Sequence, residues 1–327
     1  MGSMRINLNV ICSLTITLMM ILGMQNCQVQ AENSSKKEKK TEPQPRYVII
    51  HADDAGMSHS VNMATIAGLE SEVVTSASIM VPCAWFTEFA KYAKENPQHD
   101  YGIHLTLTSE WNFYRWGPVT SKDKVPSLVD EDGYLWDNSR LVAENVKAEE
   151  VEIELRAQID RAKQFGVPLS HLDTHMGSLF SRPDLVKVYV KLGIEYDLPV
   201  LFMKNIPAAI GKEYPGLAAG TDDLVKLLKK KNLPLLDSVL QFYGGKTHEQ
   251  RKMNYMNALR DMGPGVNELI IHCGYDNEEL RAITNSAARR NGDRIIFSSA
   301  ETAAFLKSNN IKLLNWNQFR EMQCNKK

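Results

Sequence analysis

The stretch His51-Ala52-Asp53-Asp54-Ala55-Gly56 follows directly on Arg46-Tyr47-Val48-Ile49-Ile50, a short run of β-branched and aromatic residues. Such a run fills an inner strand. Two adjacent carboxylates at the end of a buried strand serve no packing purpose. Neighbouring side chains on a regular strand point to opposite faces, so both aspartates reach one site only where the strand breaks into a turn. Two carboxylates in one mouth suit a division of labour, one holding a cation and the other moving protons. Asp-Asp-x-Gly is also ordinary turn chemistry, and taken alone the stretch is balanced between these two readings.

Partners for the pair lie downstream. Tyr101-Gly102-Ile103-His104-Leu105-Thr106-Leu107 alternates, with His104 on the face opposite Ile103 and Leu105. Pro168-Leu169-Ser170-His171-Leu172-Asp173-Thr174-His175 puts His171, Asp173 and His175 on one face if the segment is extended. Glu268-Leu269-Ile270-Ile271-His272-Cys273-Gly274-Tyr275 is again an apolar strand ending in His. A lone histidine on such a strand is usually a satisfied core residue. Three strands ending alike, together with the aspartate pair, favour a functional site.

Strand-like and helical runs alternate from Arg46 to the end, with no internal repeat. Strands are expected at Thr75 to Met80, Val200 to Met203, Arg294 to Ser298 and Ile311 to Leu314. The clearest helix is Glu149 to Phe165, with Val151, Leu155, Ile159 and Ala162 at helical spacing and Gly166 and Pro168 as stop signals. Ser298-x-x-Glu301 reads as a capping box opening the helix to Ser308. Seven or eight β-then-α units match the rhythm of a single-domain (β/α) barrel of TIM-like type, whose active sites gather at the C-terminal ends of the strands.

The N-terminus differs in kind. Arg5 precedes an apolar run from Val10 to Met24, and Val29-Gln30-Ala31 resembles a cleavage site, so residues 1–31 read as a signal peptide for export to the periplasm or the exterior. The run is too short for a comfortable membrane span. Lipid attachment at Cys27 is the alternative, disfavoured by Met24-Gln25-Asn26 before it. Residues 32–45, rich in Ser, Lys, Glu and Pro, read as a flexible tether to a domain at 46–327. The formal charge of −1 leaves no electrostatic footprint for nucleic acid. Cys83, Cys273 and Cys324, the cysteines beyond the leader, are no disulfide framework, although export would permit one bridge. A homodimer is compatible with the chain, and nothing in the sequence requires one.

The four motifs, in this order and across nearly the whole domain, resemble the YdjC-like carbohydrate deacetylase family, which includes chitooligosaccharide deacetylases. The resemblance implies a distorted (β/α) barrel and a divalent metal ion held by Asp54, His104 and His175. It further implies Asp53 as catalytic base, His272 as a second proton-transfer group, and an acetylated oligosaccharide as substrate. Two departures stand out: Met176-Gly177-Ser178 follow His175 where the family often continues with further histidines, and Cys273 stands where proline is common.

One carboxylate and two imidazoles leave open positions on such a metal. Zinc fits the imidazoles, and magnesium remains open. His171 and Asp173 are expected to orient the ligands by hydrogen bonds from behind. The long connection after His104 carries Trp111, Phe113, Tyr114, Trp116, Tyr134 and Trp136. Loops of this length are usually functional or disordered, and rings so concentrated suit a functional one, so Trp111, Tyr114 and Trp116 are expected to stack on sugar, with packing against the barrel as the competing role. His171-x-Asp173 with a distant His272 also resembles the ligand set of iron oxygenases, but the strand–helix alternation argues against their double-sheet folds. A barrel phosphoesterase or amidohydrolase, or a non-catalytic sugar-binding protein, are the remaining rivals.

Overall fold

Seven short strands, β1 (Arg46–Ala55), β2 (Ser76–Ile79), β3 (Tyr101–Leu105), β4 (Leu169–Thr174), β5 (Ser238–Gln241), β6 (Gly265–Ile271) and β7 (Ile311–Leu313), build one sheet in which every pairing is parallel. Its order is β4-β3-β2-β1-β6-β5, with β7 beside β1. The computed structural model describes residues 44–217 and 220–324. The expected signal peptide, Cys27 with its alternative of lipid attachment, and all of the expected tether but Gln44 and Pro45 lie outside the described residues.

β1 is the organising strand. Along Arg46–Ala52 one edge pairs with β6. The other edge is shared, Arg46–Val48 pairing with β7 and His51–Ala55 with β2. Between β4 and β5 the ring closes through the bridges Leu172↔Val200 and Met203↔Leu236. The expected strand at Val200 to Met203 is thus present only as these bridges. It meets one neighbour at its first residue and the other at its last, which leaves no length for a ladder. The result is the distorted α/β barrel that the motif order implies.

Helices cover the outside of the sheet, and the described residues form one compact unit. In the helix Ala148–Gln164, Val151, Leu155, Ile159 and Ala162 are fully buried, each large side chain contributing about 1.5–3 kcal/mol. Glu154 and Gln158, on the same face, are also buried and hold the long aromatic connection. Glu154 accepts from the Val119 and Thr120 amides at 2.9 Å, and Gln158 exchanges hydrogen bonds with the Thr106 backbone. The helix Trp316–Cys324 covers the end of the barrel where strands begin: Trp316 stacks on His171 at 4.9 Å, and the Asn317 amide donates to Asp100 just before β3.

Two local expectations are corrected. Arg294 to Ser298 is no strand but the end of the helix Ala287–Phe297 and its cap. That helix turns Arg290 and Asp293 inward beside Ile296 and Phe297, so its buried face lacks the apolar period that would reveal it. The next helix is capped by Ser299, whose Oγ accepts from the Thr302 amide at 3.2 Å, and not by Ser298. Cys83, Cys273 and Cys324 are free. Among the described residues no helix is long and apolar enough to cross a membrane.

Candidate active site

Both aspartates of β1 serve one mouth because the strand is irregular there. Register with β2 shifts between Ala52 and Ala55, and Asp54 has a φ of 70°. Aspartate tolerates this left-handed region better than most residues. Gly56 follows at φ 88°, and a Cβ there would meet Met80 O at 3.1 Å. Its amide donates to Asn62 Oδ1 at 2.6 Å, tying the turn to the helix His59–Glu70, whose N-terminus is capped by Ser58.

Asp54, His104 and His175 converge. Asp54 Oδ1 lies 3.4 Å from His104 Nε2 and 3.3 Å from His175 Nδ1, and the three atoms fall within 4.8 Å of one another. Tetrahedral bonds to zinc of about 2.0–2.2 Å space ligand atoms about 3.4 Å apart, so the donor set fits a cation. The far nitrogen of each imidazole faces a carboxylate, the usual support of a ligating histidine. His104 Nδ1 is 2.7 Å from Asp173 Oδ1, and His175 Nε2 is 3.1 Å from both oxygens of Glu110. Arg290 donates to Asp54 Oδ2 at 2.7 Å and to Ser286 Oγ at 3.0 Å. Burial opposes the charge on Asp54, yet Arg290 and the two histidines hold its carboxyl well below the usual range. Burial likewise opposes charging the histidines, but Asp53 and Asp173 push His104 well up, and Glu110 and Asp54 push His175 up to about 9. That is a field that attracts cations.

His175 is not on the β4 face with His171 and Asp173, as extended geometry would require. It is the first residue of a 3-10 turn, followed by Met176 and Gly177 at φ 51° and 59°. Leaving the strand swings its ring toward Asp54.

Asp53 sits beside this group. Its Oδ1 is 3.1 Å from His51 Nε2, while Oδ2 faces His104 Nε2 at 3.7 Å and His272 Nε2 at 3.9 Å. His272 follows β6 directly. Its amide donates to Asp293 Oδ2 at 3.1 Å and its ring leans on Tyr243 at 5.6 Å. Burial, reinforced by Arg290, lowers its pKa against the pull of Asp54 and Asp53.

His171 lies deeper than expected. Its Nδ1 is 2.8 Å from Ser170 Oγ, and its ring fits only because position 102 is glycine, where a Cβ would stand 2.3 Å from Nε2. It therefore supports the core of the barrel and does not touch the ligand histidines, whereas Asp173 does. The aromatic loop divides. Trp116 is buried, with Nε1 donating to Thr108 O at 2.9 Å, and has no face left for a sugar. This corrects the expectation for Trp116. Tyr114 is half-buried, its hydroxyl held by Met57 O. Trp111 is partly exposed near Arg290, and Phe113 is 93% exposed. Glu110 and Arg290 gave no signal in the sequence. His51 did, as part of its motif, but without a role.

Carboxylates and histidines gathered at the strand ends of a parallel α/β barrel define a hydrolase active site. The chain belongs to the YdjC-like family, whose profile, described as YdjC-like protein, matches residues 47–308. A carbohydrate deacetylase of Thermus thermophilus is 32% identical over 276 residues, covering 84% of this chain and 94% of the relative. One of Thermoanaerobacter pseudethanolicus is 26% identical over 271 residues, covering 83% and 98%. A crystal structure from Enterococcus faecalis, of a protein whose given name proposes cellobiose-phosphate cleavage, superposes with a TM-score of 0.69 at 27% identity, covering 84% of this chain and 98% of that one.

Proposed function

We propose that the protein is a metal-dependent carbohydrate deacetylase that hydrolyses the acetamide of N-acetylated oligosaccharides. The observation that carries this reading is the convergence of Asp54 Oδ1, His104 Nε2 and His175 Nδ1, with Asp53 free beside them. A divalent cation, zinc by its fit to two imidazoles, would acidify water and draw electron density from the amide carbonyl. Asp53 Oδ2 opens onto the same space and takes the proton of the attacking water. His272, its pKa lowered by burial, enters the reaction neutral. Its Nε2 stands 3.9 Å from Asp53 Oδ2, which supports a role in carrying that proton on to the departing amine. Water oxygen joins the acetyl carbon as the carbon–nitrogen bond breaks, giving acetate and a free amino sugar. Carbohydrate as the substrate class rests on the names of the relatives and on the partly exposed ring of Trp111 beside Arg290.

Acetate release from a panel of N-acetyl and O-acetyl oligosaccharides, with metal-stripped and zinc-restored protein, tests the reading. Release that requires zinc supports it, and no acetate from any sugar with zinc present overturns it. The leader at residues 1–31 supports export, which an N-terminus at Glu32 on protein recovered outside the cytoplasm would establish.

A further inference from the structure

Beneath the mouth, the interior of the barrel is polar. His51 is fully buried at its centre, ringed by Asp53 on its own strand, Ser76 and Ser78 on β2, His171 and Asp173 on β4, and Glu268 on β6. The proton on each of its nitrogens follows from what those nitrogens face. Nε2 lies 3.1 Å from Ser78 Oγ, flanked by Asp173 Oδ2 at 2.9 Å and Asp53 Oδ1 at 3.1 Å. Asp173 Oδ2 is buried and has no hydrogen-bond partner among the described residues, the close approach of His51 Nε2 being its nearest compensation. A bare nitrogen lone pair against two carboxylate oxygens would be repelled by both, so Nε2 carries hydrogen. Nδ1 lies 3.0 Å from Ser76 Oγ, and Ser76 gives its single hydroxyl proton to Asp100 Oδ1 at 2.7 Å. Ser76 can then only accept from His51, and Nδ1 carries hydrogen too.

We infer that His51 is a buried imidazolium, donating from both ring nitrogens, and that it acts as the positioning residue for Asp53. On the deacetylase reading, it fixes Asp53 Oδ1 so that Oδ2 alone faces the reacting water. The same ring contacts Asp173, which holds His104. One cation thus aligns both the base and the support of a ligand.

Asp100 is the rival seat for the proton. Ser76, Ser170 and the Asn317 amide all donate to it, the pattern of an ionised carboxylate. Burial nonetheless raises its carboxyl above the ordinary value. His171 is no competitor, because burial holds it well below the usual imidazole range. At the lower end Trp316 stacks over His171, with ring centroids 4.9 Å apart.

The test is nitrogen-15 NMR of the zinc-loaded protein with labelled histidines, the His51 signals being those lost in His51→Gln. Both ring nitrogens should read as protonated from pH 6 to 8.5. A bare Nδ1 would put the proton on Asp100 and overturn the inference. In kinetics, His51→Gln should lower kcat about 10–100-fold, the usual cost of removing a partner behind a metal site, with KM and zinc content within about twofold of the parent. An unchanged kcat would overturn the positioning role. If the parent releases no acetate, the functional reading fails, and the NMR result still decides the charge of His51.

Discussion

Glu110 grips His175 from behind: both carboxylate oxygens stand 3.1 Å from Nε2, while Nδ1 of the same ring faces Asp54 at 3.3 Å. His175 has left its strand and sits in a turn, so this contact from the aromatic connection fixes its ring. Glu110→Gln should therefore weaken zinc binding about 10–100-fold, measured by competition with a chromogenic chelator. Unchanged affinity would mean that the turn alone orients His175.

The two aspartates of β1 are expected to separate by function. Asp53→Asn should lower kcat about 10²–10⁴-fold, the contribution of a positioned base, while zinc content stays near that of the parent. Asp54→Ala should lose zinc. Metal analysis of the two purified variants decides, and loss of zinc from Asp53→Asn would exchange the assignments.

The parts of this site that sequence discloses are those coded by short-range pattern. Asp53, Asp54, His104 and His272 end or follow apolar runs, and a titratable group there has no packing explanation. Glu110 and Arg290 show no such pattern, because their meaning lies in contacts far along the chain: Arg290 reaches Asp54 across 236 positions. Arg290 and Asp293 also mask their own helix, since charges on its buried face break the apolar period. β5 escapes notice for a different reason, its residues being only half buried and not alternating. Trp116 and Phe113 look alike in sequence, yet one is core and the other surface, a difference made by which way the connection folds.

Arg290 should matter most when no cation is present. Its guanidinium is then the strongest compensation for Asp54, and removing one member of a buried pair costs about 3–5 kcal/mol. Arg290→Met should melt well below the parent when metal-free, and zinc should recover part of the deficit by neutralising the same carboxylate. Thermal unfolding with and without zinc reads both numbers. Equal deficits in the two conditions would show that the arginine serves the fold and not Asp54.

Within the aromatic connection, two rings should give opposite phenotypes. Trp116 is core, so Trp116→Ala should cost about 3–5 kcal/mol of stability. Phe113→Ala should leave the melting temperature unchanged and impair turnover of oligosaccharides more than that of a small acetylated probe, because remote contacts help only substrates long enough to reach them. Equal losses for long and short substrates would remove Phe113 from sugar binding.

Glu268 provides a pH test of the polar interior. It is fully buried, neither oxygen has a hydrogen-bond partner among the described residues, and burial together with Asp173 and Asp53 pushes its pKa from 4.5 up to about 8 against the pull of His51. The folded protein thus holds this proton more tightly than the unfolded chain. The stability so gained is complete below the unfolded value of 4.5 and is lost as pH rises toward about 8. Glutamine cannot ionise and carries no such loss. The stability of Glu268→Gln relative to the parent should therefore improve between pH 5 and pH 8.5, by roughly 1–4 kcal/mol. Contributions from titrating groups remote from Glu268 cancel in the comparison. Chemical denaturation of both proteins across that range provides the measurement, and curves that run parallel would mean that Glu268 ionises in the folded barrel as readily as in water.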